Sequence, residues 1–118
     1  MKRKIAWVEI PAENMPRAVD FYNGLMNLEM EIMDFGEEKM ALLPDDEGAI
    51  SQAPGFKPSA NGVLVSLDVG DRLDDALDFV VKNGGSVVKA RTKIQAEGRD
   101  YFALFLDSEG NRMGLYGK

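Results

Sequence analysis

The chain has 118 residues, a net charge of −6, and neither cysteine nor histidine. A chain of this length can bury a core as one domain without cross-links, and the lack of cysteine excludes disulfides and thiolate chemistry. The acidic balance argues against a nucleic-acid partner, and no apolar run is long enough for a signal peptide or a membrane span. We therefore expect a cytoplasmic protein with no nucleic-acid or membrane partner. Without histidine, any metal site would need oxygen ligands.

An internal repeat organises the sequence. Residues 18–22, AVDFY, return as residues 76–80, ALDFV, and both lie in stretches with helical spacing of apolar residues. The turn Asp45–Gly48 recurs as Asp107–Gly110 in the same order. Such a repeat is typical of a duplicated unit that buries its apolar face against its twin.

The repeat predicts an α+β fold of two tandem βαβββ units. Unit one covers about residues 1–52 and unit two about residues 62–118. Residues 53–61 contain two prolines and a glycine and are predicted to form the linker between the units. We expect the two units to form a single domain.

The first strand is predicted over Ile5–Ile10, where side chains alternate between two faces. Val8 and Ile10 belong to the face that lies under a helix. Trp7 and Glu9 share the other face, and an aromatic ring beside a carboxylate suits the wall of a cavity. Trp7 could instead be a core or dimer-interface residue, and Glu9 a rim residue paired with a nearby cation.

The second copy repeats this arrangement over Val63–Val69. Its alternation places Val63 on the core face and places Leu64 and Ser66 on the opposite face. The last strand is predicted over Arg112–Tyr116.

On that last strand, Arg112, Gly114 and Tyr116 alternate onto one face. Gly114 leaves space there, either for a bulky ligand group or for close packing against another strand. The Tyr116 hydroxyl is a candidate hydrogen-bond donor to a ligand.

Three segments in this order resemble the vicinal oxygen chelate superfamily, which includes glyoxalase I, extradiol dioxygenases, and fosfomycin- and bleomycin-resistance proteins. The segments are Trp7–Pro11, Arg17–Tyr22 and Phe105–Tyr116. The resemblance implies curved mixed sheets around a concave cavity, and it favours a homodimer.

The resemblance also implies metal-ligand positions, which fall on Trp7, Leu64, Gly114 and a position near Ser51. None of the first three can ligate a divalent ion through its side chain. We therefore expect no metal and no other cofactor.

These observations give one set of candidate ligand-binding residues: Trp7, Glu9, Leu64, Ser66, Arg112, Gly114 and Tyr116. The favoured hypothesis is a metal-independent protein that binds a small organic molecule, aromatic or cationic. The alternative is a lyase- or isomerase-like enzyme in which Glu9 is the base and Tyr116 or Ser66 polarises a carbonyl. A metal enzyme that uses carboxylates alone is a third possibility.

Overall fold

The computed structural model describes residues 3–118, which form two similar halves. In chain order the helices and strands are β1 (Val8–Pro11), α1 (Met15–Met26), β2 (Ile32–Asp34), β3 (Lys39–Leu42), β4 (Gly48–Gln52), β5 (Ser66–Gly70), α2 (Leu73–Lys82), β6 (Ser86–Lys93), β7 (Tyr101–Leu106) and β8 (Arg112–Gly117).

Each half builds one mixed four-stranded sheet, with strand orders β1-β4-β3-β2 and β5-β8-β7-β6. The first strand of each half pairs in parallel with the last strand of that half, and the remaining pairs are antiparallel. The sheets are curved and do not close. The predicted α+β architecture of two βαβββ units is therefore confirmed.

Helix α1 begins directly after Asn14. The Asn14 side chain caps it by accepting a hydrogen bond from the Arg17 backbone N–H at 3.0 Å. The helix ends at Asn27, which adopts the left-handed conformation that asparagine tolerates. In the part of the chain that the structure describes, no helix is both long and apolar enough to cross a membrane.

One apolar core contains residues from both halves. Phe21 on α1 lies near Phe79 on α2 and Phe105 on β7, with ring centroids 5.9 and 6.2 Å apart. Burial of aromatic rings is a large apolar contribution to folding, so the two halves stabilise each other through this contact.

A polar contact also joins the halves, through residues Asp107–Asn111 between β7 and β8, here called the junction turn. The carboxylate of Glu109 accepts hydrogen bonds from the backbone N–H groups of Glu13 and Asn14, both at 2.9 Å. It also pairs with the Nε of Arg17 at 2.7 Å. The junction turn of the second half thus satisfies donors at the start of α1, which lack partners within the helix.

The first strand is shorter at its start than the sequence predicted. The pairing of β1 with β4 begins at Val8, opposite Gly48, which is the first residue of β4. Residues 5–7 have no partner in this pairing, so they lie before the strand and are exposed.

The strand predicted from Val63 also begins later, at Ser66. The Arg112 backbone N–H donates to the Ser59 carbonyl at 3.2 Å, and the next bond on this side of β8 runs from Gly114 N–H to Val65. The intervening residues 60–64 do not pair with β8. Val63 is consequently 91% exposed, and its predicted place in the core is wrong.

Candidate functional site

A cavity of about 390 Å³ lies where the first half meets the second. Its walls come from β1, from the segment that connects the halves, and from the start of β8. The lining residues are Val8, Glu9, Ile10, Pro11, Phe56, Lys57, Ser59, Gly62, Val63, Val65, Asn111, Arg112 and Met113.

Asn111 connects the three segments that form the cavity walls. Its Nδ2 donates to the Pro11 carbonyl at 2.8 Å, and its Oδ1 accepts from the Ser59 backbone N–H at 3.1 Å. Asn111 therefore links β1, the connecting segment and β8 around the cavity. Its amide atoms are used for this structural purpose and are less available to a ligand.

Three charged side chains line the cavity: Glu9, Lys57 and Arg112. The Nζ of Lys57 lies 3.8 Å from the Glu13 carboxylate in an exposed ion pair. The Nε of Arg112 is buried and has no hydrogen-bond partner. Two of the predicted ligand-binding residues, Glu9 and Arg112, therefore lie in one cavity.

Ser66, Gly114 and Tyr116 do not line this cavity and lie on the face of the second sheet that points away from the core. Ser66 pairs directly with Gly114 across β5 and β8. A Cβ atom placed on Gly114 would lie 2.3 Å from the Ser66 Oγ. The Ser66 side chain thus occupies the space beside Gly114, as in the close-packing alternative, and leaves less room there for a bulky ligand group.

Trp7 and Leu64 flank the cavity without lining it. Trp7 precedes β1 and is 40% exposed, whereas its neighbours Val8 and Glu9 are lining residues. Leu64 is 43% exposed between the lining residues Val63 and Val65. Both residues are therefore close in sequence to lining residues but do not line the cavity themselves.

The residues present do not fit a divalent cation. At the positions where the resemblance places metal ligands, Trp7, Leu64 and Gly114 offer no side-chain oxygen, and the space at Gly114 is filled by Ser66. The nearby Ser51 on β4 supplies only a hydroxyl, which is 3% exposed and has no hydrogen-bond partner. Across residues 3–118, no three acidic side chains gather into a group that could hold a metal.

Sequence reasoning missed the contribution of the segment between the halves. Phe56, Lys57 and Ser59 were assigned to a linker on the strength of its prolines and glycine, yet they form one wall of the cavity. An aromatic ring and a cation inside an otherwise small and polar linker were the available signal.

The fold and this cavity identify a class of small α+β proteins built from two repeated units around a concave site. The sequence profile of the Glyoxalase/Bleomycin resistance protein/Dioxygenase superfamily matches residues 4–115, and the chain belongs to this superfamily. No curated protein sequence matches the chain.

Solved structures show the same fold at low sequence identity. A glyoxalase/bleomycin resistance protein from Albidiferax ferrireducens is 13% identical with a TM-score of 0.73, covering 98% of this chain and 100% of its own. A glyoxalase/bleomycin resistance protein/dioxygenase family enzyme from Burkholderia phytofirmans is 15% identical with a TM-score of 0.71, covering 95% and 96%. A genomically encoded fosfomycin resistance protein from Listeria monocytogenes is 15% identical with a TM-score of 0.67, covering 100% and 93%. At these identities the likeness establishes the fold alone.

Proposed function

We propose that this protein binds a small organic molecule in the cavity between its halves, without a divalent metal. The observation that carries the proposal is the cavity itself. Its volume of about 390 Å³ falls within the range of ligand pockets, and its walls are mainly apolar with a few charged groups. This composition suits a ligand with an apolar body and one or two polar groups.

A variant that fills the cavity tests this proposal. Gly62 lines the cavity, and the nearest heavy atom to a Cβ placed there is the Ser59 Cβ at 3.9 Å, so Gly62→Phe introduces a ring without a backbone clash. Ligands from a metabolite screen should raise the melting temperature of the wild type by binding the folded state. Gly62→Phe should abolish these shifts.

Ala96→Phe is the matched control, since Ala96 is exposed and lies outside the lining of the cavity. Trp7 supplies a second readout, because it is the only tryptophan and directly precedes the lining residue Val8 in the sequence. Ligands that shift the melting temperature equally in Gly62→Phe and the wild type would contradict the proposed site.

Metal independence has its own test. We expect purified protein to contain no stoichiometric divalent metal, because the superfamily's ligand positions hold Trp7, Leu64 and Gly114. Elemental analysis checks this. One tightly held metal per chain that is lost in Glu9→Gln would contradict the proposal and would favour the carboxylate-only metal enzyme.

A second candidate function is proton abstraction next to a carbonyl. The placement of Glu9 and Arg112 in one cavity favours it, because a carboxylate base and a cation that stabilises a developing oxyanion are its minimum requirements. Exchange of ligand C–H protons in heavy water, followed by NMR, tests it. Exchange that is present in the wild type and absent in Glu9→Gln would establish an enzyme, and its absence would leave a binding protein.

We further propose that the protein is a homodimer. Met33 and Leu42 lie on the face of the first sheet that points away from α1 and are 36% and 45% exposed. Strands β2 and β6 form sheet edges, which natural proteins usually cover or protect. Light scattering should give twice the chain mass for the wild type and a lower mass for Leu42→Glu. A single-chain mass for the wild type at micromolar concentration would contradict this proposal.

A further inference from the structure

The guanidinium of Arg112 differs from those of Arg17 and Arg91 in its surroundings. Arg17 pairs with Glu109 at 2.7 Å, and Arg91 pairs with Asp74 at 3.1 Å. No ion pair within residues 3–118 includes Arg112, and its Nε is buried without an acceptor. Buried N–H donors in native proteins almost always have an acceptor. Arg112 lines the cavity, and the described side chains leave its positive charge without a partner, which an acceptor group on a ligand in the cavity can supply.

The backbone at Arg112 is held in place before any ligand binds. Its N–H donates to the Ser59 carbonyl at 3.2 Å. The preceding Asn111 is buried, and its Nδ2 donates to the Pro11 carbonyl at 2.8 Å and to Asp107 at 3.0 Å. The backbone that carries the Arg112 side chain is thus already fixed in the cavity wall. This reduces the conformational entropy that is lost when the side chain binds a ligand.

We propose that the ligand carries a carboxylate, which the guanidinium of Arg112 binds, and an apolar body, which packs against Val8, Phe56, Val65 and Met113. This inference rests on the proposed binding function and names the chemical class of the ligand. The planar guanidinium donates two parallel hydrogen bonds to a carboxylate, a geometry that a single ammonium group does not provide.

The net charge at the cavity favours neither an anion nor a cation, and the preference for a carboxylate comes from the unpaired guanidinium of Arg112. Glu9 alone favours a cation, but Lys57 and Arg112 line the same cavity and leave one cation in excess. Glu13 lies 3.8 Å from Lys57 and offsets that charge from outside the lining. Glu9 then serves as a hydrogen-bond acceptor. A carboxylate ligand that also carries a hydroxyl or ammonium group therefore uses both Arg112 and Glu9.

The test uses three probes with one apolar body: phenylpropanoate, phenylpropanamide and phenylpropylamine. At neutral pH they present an anion, a neutral amide and a cation. Isothermal titration calorimetry on the wild type should show the carboxylate binding about tenfold or more tightly than the amide, as expected for hydrogen bonds to a charged group. High salt should reduce this preference.

Arg112→Gln should remove the preference for the carboxylate and leave the affinity for the amide nearly unchanged. Arg112→Lys should retain part of the preference, because the charge remains while the two-pronged donor is lost. Arg91→Gln is the matched control, since Arg91 is paired with Asp74 and lies outside the cavity lining. The ligand-free Arg112→Gln variant should melt no lower than the wild type, because it removes a buried donor that has no partner.

The outcomes separate this inference from the proposed function. A carboxylate that binds no more tightly than the amide, or a preference that survives in Arg112→Gln, overturns the inference. The proposed function then stands if Gly62→Phe abolishes binding of the amide or the amine. Failure of all three probes to bind the wild type at their solubility limit overturns the carboxylate inference. If, in addition, no ligand from the metabolite screen depends on Gly62, the proposed function fails as well.

Discussion

Two turns with similar sequences have different surroundings in this molecule. The first-half turn, residues Pro44–Gly48, connects β3 and β4, and its acidic residues Asp45, Asp46 and Glu47 are exposed. The junction turn connects β7 and β8, and Asp107 within it is buried at 3% exposure.

The difference lies in what each turn contacts. Asp107 accepts hydrogen bonds from the Tyr22 hydroxyl at 2.6 Å and from the Asn111 and Glu109 backbone N–H groups at 3.0 and 2.8 Å. Tyr22 belongs to the other half of the chain. Similar residues can therefore reverse the chain in both places, while contact with the opposite half makes only one turn part of the core.

The largest expected effect separates the two turns directly. Asp107→Asn should lower the free energy of unfolding by about 2–3 kcal/mol, because an amide nitrogen replaces an acceptor of buried donors. Asp46→Asn should change it by less than about 0.5 kcal/mol, because Asp46 is exposed and asparagine tolerates its left-handed backbone. Urea denaturation measures both variants. Equal losses would show that the turns do not differ in this way.

Tyr22→Phe should cost about 1–2 kcal/mol, because Asp107 loses one of its buried donors. Tyr116→Phe on β8 is the matched control and should change stability by less than about 0.5 kcal/mol.

Burial, and then the negative charge of Asp107, raises the pKa of Tyr22 well above its ordinary value. In an alkaline spectroscopic titration, one of the three tyrosines should therefore remain protonated until the protein unfolds. Deprotonation of Tyr22 in the folded protein near its ordinary pKa would contradict the buried contact.

Glu109→Gln should cost about 1 kcal/mol at neutral pH, the usual contribution of a side chain that satisfies helix N-terminal donors. Burial alone would raise the pKa of Glu109, but hydrogen bonds from Arg17, Asn14, Ser108 and Glu13 together hold it below 4.5. The contribution is therefore present above about pH 4.5 and is lost as the pH falls through the lowered pKa.

The stability difference between the wild type and Glu109→Gln should accordingly shrink in acid. Glu47→Gln, the matched change in the first-half turn, should have little effect at any pH, since Glu47 is exposed. Denaturation curves measured from neutral pH to about pH 3 test this. A difference that stays constant over that range would contradict the role given to the ionised carboxylate.

The smallest expected effect concerns the backbone of the first-half turn. Asp45 has a φ of 62°, in the left-handed region that glycine adopts without strain. Asp45→Gly should stabilise the protein by at most about 0.5 kcal/mol, because relief of strain is partly offset by the greater freedom of glycine in the unfolded chain. A clear loss of stability would indicate a contact of the Asp45 side chain.

The sequence contained enough information for most of the fold, because the fold depends on local patterns that occur twice. Apolar spacing placed both helices. The same alternation failed at Val63. Alternation predicts which side chains share a face of a strand, but it does not predict the residue at which pairing with another strand begins. Here the Arg112 backbone N–H bonds to Ser59, and residues 60–64 are left out of the pairing.

The site was less accessible to sequence reasoning, because its walls come from distant parts of the chain. Glu9 and Arg112 were selected as members of strand faces, and the structure places both in one cavity. Phe56 and Lys57 lie in a segment without helical or strand periodicity, so the sequence did not predict which way their side chains point. The Ser66 side chain fills the space beside Gly114 because the register of β5 and β8 pairs these two residues. The sequence of either strand alone does not specify this register.

The cap on α1 has a consequence for the order in which the chain can fold during synthesis. The donors at Glu13 and Asn14 are satisfied by Glu109, which is 96 and 95 positions later in the sequence. The hydroxyl of Tyr22 likewise donates to Asp107, which is 85 positions later in the sequence. The ribosome therefore releases α1 long before its partners exist, and the first half completes its packing only after the junction turn has been synthesised. A stop codon before the junction turn keeps the Asn14 cap but removes the Glu109 carboxylate that satisfies the backbone donors of Glu13 and Asn14.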